Sequence, residues 1–171
     1  MNLSNVFLRY LILIAVALPN FWIFYFIFTP LTVYPVYFLL SFFYDSLLIE
    51  NIILVNDVAI DLIKACIAGS AYYLLLILNL SIPKIKIQKR IKMILFAFGI
   101  FLAVNVLRIF LLGIMILEKS SLFNFTHQLF WYLVSIVFVV GIWFTEVKIF
   151  KIKEIPFYSD IVFVYKKIFK K

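Results

Sequence analysis

Long apolar runs leave this chain few ways to fold. Residues 10–28, 65–80, 93–117 and 127–147 carry almost no charge. A bilayer's hydrocarbon core is about 30 Å thick and takes roughly 20 apolar residues of helix to cross. Backbone amides have no water to bond in lipid, so such runs must satisfy themselves as helices. Of 171 residues, 67% are hydrophobic and only 14% charged, and 21 are Phe; soluble domains are about half apolar. The expected fold is therefore an all-α integral membrane protein, a single polytopic domain over residues 1–147 with a basic tail at 148–171. Residues 1–18 resemble a signal peptide only weakly, because the apolar run continues past a normal h-region without a cleavage pattern.

Pro19 is expected to kink the first span, and Thr29-Pro30 to end it. Residues 31–49 read as a helix lying at the outer interface, with Pro35, Asp45 and three tyrosines suiting that position. If they cross instead, the spans number five rather than the preferred four. Residues 50–63 change character, since two β-branched runs flank Asn56-Asp57 and predict a β-hairpin. An open sheet edge is untenable in lipid, so the hairpin belongs outside the hydrocarbon, where Asp57 and Asp61 also fit.

The formal charge of +8 is gathered in short segments beside the apolar runs. This is the pattern of cytoplasmic anchoring rather than of nucleic-acid binding. Lys84, Lys86, Lys89, Arg90 and Lys92 mark a cytoplasmic loop. The seven lysines of residues 148–171, interleaved with apolar residues, mark a cytoplasmic interfacial tail. Counting spans from these markers puts the hairpin, Cys66 and His127 on the extracytoplasmic face of a multi-pass cell-membrane protein. One cysteine and one histidine speak against a disulfide or a metal centre, and no cofactor is expected.

Cys66, Arg108 and His127 stand at or in three separate apolar runs. Arg108 lies roughly 14 Å below the outer end of its helix, where a guanidinium must face protein or water. Asn105 shares its helical face. Gly69, Ser70 and Tyr73 are expected on the face of Cys66, a small-residue patch allowing close helix approach. Taken singly, Cys66 is more often inert packing and His127 an interfacial residue, whereas an intramembrane arginine is functional or paired by default. Taken together, a thiol needs a base or cation to become a thiolate; His127 is a candidate base, and Arg108 can stabilise a thiolate or an oxyanion.

An extracytoplasmic hairpin leading into Ala65-Cys66-Ile67-Ala68-Gly69-Ser70, then Asn105-Val106-Leu107-Arg108, then His127 heading the last span, resembles the exosortase/archaeosortase family of membrane transpeptidases. The likeness covers roughly residues 30–147. It implies a cysteine-dependent sorting enzyme with Cys66, Arg108 and His127 as the catalytic set and Asn105, Gly69 and Ser70 in support. The implied substrates are exported proteins ending in a short motif, a transmembrane helix and a basic cluster. The implied reaction is transfer through a Cys66 thioester to an acceptor such as a lipid. Outside that family, the same residues suit a non-catalytic membrane scaffold or transporter subunit, with Arg108 and Asn105 pairing helices.

Overall fold

The computed structural model describes residues 3–18, 21–156 and 158–169. It is mostly helical with one small sheet. Helices α1 (Leu3–Ala17) and α2 (Trp22–Ser41) are followed by strands β1 (Ser46–Ile49), β2 (Ile52–Val55) and β3 (Val58–Asp61). Then come α3 (Lys64–Ile67), α4 (Gly69–Leu80) and the long α5 (Ile87–Leu117). Helix α6 (Phe123–Leu129) passes through a π-helical turn at Phe130–Val134 into α7 (Ser135–Ile149), and α8 (Tyr158–Phe169) closes the chain.

By length and composition, α2 and α5 can each cross a membrane, and the bent pair Phe123–Tyr132 and Ser135–Ile149, meeting at 47°, can do so as one unit. The expectation of four spans is thus met only in part among the described residues. The run at 10–28 is not one helix. Phe21 sits in the left-handed region (φ 59°) and separates α1 from α2; the kink expected at Pro19 lies outside the described residues. Helix α2 then continues through Pro30 and Pro35. Each proline removes one backbone donor, but the segment is apolar throughout and packs along α5. Residues 31–41 are therefore the second half of a helix long and apolar enough to cross a membrane, not a separate element.

The hairpin is present, with Val55 opposite Val58 across Asn56-Asp57 and Asn56 at φ 51° supplying the tight turn. A third strand went unforeseen. Ser46–Ile49 pairs antiparallel with β2, giving the order β1-β2-β3, and Glu50 at φ 55° turns the chain between them. One face of this meander is apolar: Ile53, Val55 and Ile60 are buried against Val33 and Leu40 of α2 and Ile109 of α5. A second core lies between the helices, where Tyr72 stacks on Phe28 at 3.7 Å and meets the edges of Phe98 and Phe101.

Opposite the sheet, the basic segment is not all loop. Helix α5 begins at Ile87, so Lys89, Arg90 and Lys92 are helical, and Arg90 is only 7% exposed. The last carbonyls of a helix lack intrahelical donors and carry its negative dipole end. Arg90 donates to the carbonyls of Asn79, Leu80 (3.1 Å) and Ile82 (2.7 Å). Arg9 donates to Leu80 (2.9 Å) and Ile82 (3.0 Å) and pairs with Asp160 of α8 at 2.7 Å. Tyr10 donates to the same carboxylate at 3.2 Å, so the basic tail docks through a buried acid.

Removing Asp160 breaks a buried 2.7 Å ion pair with the Arg9 guanidinium. Asp160→Ala is expected to cost about 3 kcal/mol of stability. Arg9→Ala combined with Asp160→Ala should cost less than the sum of the single changes, as read by thermal unfolding of the purified chain.

Candidate active site

The turn that carries Cys66 is built by a break in helix geometry. Leu62 N–H donates to Asn51 O at 3.1 Å, tying the end of β3 to the sheet. Ile63 is extended, α3 makes a single turn, and Cys66 N–H donates to Ile63 O at 2.8 Å. Ala68 then adopts left-handed geometry (φ 58°, ψ 46°), which costs a side-chain-bearing residue roughly 1–2 kcal/mol. Helix α4 starts afresh at Gly69. The Tyr25 ring lies so close there that a Cβ on Gly69 would sit 2.9 Å from two of its ring carbons.

The break alters the face expected around the cysteine. Gly69 backs onto Tyr25, Ser70 is exposed, and Tyr73 donates to Leu13 O of α1 at 3.1 Å. The thiol of Cys66 is free and half-buried. Its surroundings come instead from α5, from the segment after it and from the end of β3.

Asn105 and Arg108 stand one turn apart on α5 and converge, as expected from their spacing. Asn105 Nδ2 donates to the Cys66 carbonyl at 2.9 Å, and Arg108 Nη2 reaches the same oxygen at 3.4 Å. Guanidinium and thiol also act on each other electrostatically. Arg108 Nη1 donates to Ser135 Oγ at 3.3 Å, and Ser135 Oγ donates to Phe130 O at 2.7 Å. The Phe130 oxygen also accepts the Ser135 backbone N–H that closes the π-helical turn, so the hydroxyl shares that oxygen with the residue's own main chain. Arg108 Nε is buried without a partner.

His127 lies within α6 rather than opening the last helix, because α6 begins at Phe123. It is exposed, stacks on Phe123 with ring centroids 5.5 Å apart and lies 6.3 Å from Trp131. Cys66, Arg108 and His127 line one cavity of about 280 Å³, together with Asp61, Gly113 and Trp131. Among the described residues no hydrogen bond joins His127 to Cys66 or Arg108. Asn105 stands behind the cavity wall, bonded to the cysteine's backbone, and neither Gly69 nor Ser70 lines the space.

Ser135, Asp61 and Trp131 were not foreseen as part of this site. A lone serine in an apolar helix is itself a signal, since its hydroxyl must find a backbone or side-chain partner. In the sequence, Asp61 marks only the hairpin's position outside the hydrocarbon. No protein-family model, curated protein or solved structure matches the chain.

Gly69→Ala forces a methyl group into the Tyr25 ring and should destabilise the protein by about 1–3 kcal/mol. Tyr25→Leu in the same background should recover most of that loss, measured by thermal unfolding.

Proposed function

We propose that the chain is a membrane-embedded cysteine transpeptidase that sorts exported proteins. The observation that carries this reading is the single cavity shared by the thiol of Cys66, the guanidinium of Arg108 and the imidazole of His127. It opens beside the sheet, at the end of the bundle away from the basic loop, and this reading assigns that end to the extracytoplasmic face. A substrate with its own transmembrane helix would present its cleavage motif at that depth.

In this mechanism His127 takes the proton from the Cys66 thiol, and Sγ attacks the peptide carbonyl carbon. The carbonyl oxygen becomes an oxyanion, and Arg108, whose 3.4 Å bond to the Cys66 carbonyl is long, turns a donor toward it. The tetrahedral centre collapses, the C–N bond breaks, and the departing amine takes the proton held by His127. The acyl group remains on Sγ as a thioester. An amine-bearing acceptor such as a membrane lipid then gives its proton to His127 and attacks the thioester carbon, releasing the thiolate and anchoring the product. Ser135 and Asn105 hold Arg108 and the Cys66 backbone in place.

A non-catalytic scaffold has one specific observation in its favour. Both Asn105 and Arg108 bond to the main-chain carbonyl of Cys66, a contact that joins helices whatever the thiol does. Cys66→Ala separates the readings. C-terminal peptides of exported proteins from cells carrying the wild-type chain should be shortened and bear an acceptor mass, and with Cys66→Ala they should stay full length. Arg108→Gln should slow processing roughly 10²–10³-fold. Identical C-termini in wild-type and Cys66→Ala cells would sink the enzyme reading, and shortened chains ending in a free carboxylate would make the protein a hydrolase.

A further inference from the structure

At the end of the bundle away from Cys66, a second polar pair lies in the core. Glu146 of α7 and Asn79 of α4 are both 0% exposed. Asn79 Nδ2 donates to Glu146 Oε2 at 3.0 Å and to Leu75 O at 3.1 Å, so both amide hydrogens are spent. That leaves Asn79 Oδ1 and Glu146 Oε1 buried without partners. These two oxygens belong to groups already in contact, and both are acceptors when the carboxyl is ionised.

Among the described residues, the surroundings offer an ionised carboxyl no counter-charge. The elements packed most closely on α7 are α4, α5 and the π-helical turn. Helix α4 brings Tyr72 and Tyr73, one to two turns from Asn79. Helix α5 brings Arg90, whose guanidinium is committed to the carbonyls of Asn79, Leu80 and Ile82, as well as the half-buried Lys89 and exposed Lys92, and Arg108 at its far end. The π-helical turn brings Tyr132, also at the far end, and α7 itself brings the exposed Lys148. Among the described residues no cationic nitrogen lies within 4.0 Å of Glu146; the ion pairs there are Arg9 with Asp160 and Lys84 with Glu154.

A buried charge without a partner is costly, and a buried acceptor without a donor is nearly as rare. One hydrogen on the carboxyl removes both difficulties. We propose that Glu146 and Asn79 form a proton-binding site in the bundle core, with Glu146 a neutral acid whose hydroxyl donates to Asn79 Oδ1 while Asn79 Nδ2 donates to Glu146 Oε2. The proton closes an acid–amide pair between α4 and α7. Beyond this pair α4 runs back through α3 to Cys66, and α7 runs back to Ser135, which holds Arg108. Loss of the proton sets carboxylate and amide oxygens against each other where those helices meet. The site goes beyond the acyl-transfer reading and stands whether or not that reading does.

Infrared spectroscopy of the purified full chain in lipid nanodiscs, with glutamate-selective ¹³C labelling, reads the proton directly. The label falls on Glu50, Glu118, Glu146 and Glu154; Glu50 and Glu118 are exposed, and Glu154 pairs with Lys84 at 3.1 Å. At neutral pH the expected result is one labelled band of a protonated acid that shifts on transfer to D₂O. Glu146→Gln should abolish it, and Asn79→Leu should move it to higher frequency by removing the acceptor. Only carboxylate bands in the labelled wild-type chain would overturn the proposal. So would a carboxylate band that responds to sodium or potassium, which would make the pair a cation site. Because the wild-type spectrum decides by itself, a misfolded variant does not rescue the idea.

Discussion

Backbone carbonyls in a low-dielectric interior must find donors, and in this protein arginines supply them at both ends of one short helical segment. The segment from Lys64 to Leu80 is split at Ala68 and is too short to satisfy its own termini. At the basic end, Arg9 and Arg90 cover the last carbonyls of α4 and that of Ile82 just after it. At the other end, Asn105 and Arg108 cover the carbonyl of Cys66. Three of those four donors sit on α5, where Arg90 and Arg108 are roughly 27 Å apart along the axis. Helix α5 thus acts as a ruler that holds both ends of the cysteine-bearing segment at a set separation.

The remaining architecture follows from that arrangement. The sheet lays its apolar face on α2 and α5, which places Asp61 and Ile63 immediately ahead of the cysteine turn. The aromatic core of Phe28, Tyr72, Phe98 and Phe101 fills the space between α2, α4 and α5 and fixes their rotation. The π-helical turn before α7 directs Ser135 toward Arg108 and leaves α6 to carry His127 over the cavity. Polar groups are few here, and each of these positions one of the others.

Parts of this were legible from the residues. The apolar runs announced helices, and Asn56-Asp57 between β-branched runs announced the hairpin turn. The three-residue spacing of Asn105 and Arg108 announced one helical face. Other features were hidden for identifiable reasons. Ser46–Ile49 reads as apolar in any conformation, so only its pairing with β2 makes it a strand. Pro30 reads as a terminator, yet packing along α5 carries the helix through it. The break at Ala68 leaves no mark in composition, because the residue is an alanine in a conformation normally left to glycine, and Tyr25 on Gly69 is a contact across some forty positions. Arg90 looked like one more charge in a basic loop, since nothing local says that its guanidinium turns inward.

Local sequence by itself determined where the chain is apolar enough to be helical in lipid, where it must turn, and which rare reactive side chains it holds, because those properties belong to single residues and their near neighbours. Tertiary structure alone decided that Cys66, Arg108 and His127 border one cavity and that Glu146 meets Asn79. It also decided that arginines far apart in the chain cap the same helix. Such meetings are set by helix rotation and packing over long separations, and the energy that selects them, the need to satisfy buried polar groups, exists only once the bundle has closed around them.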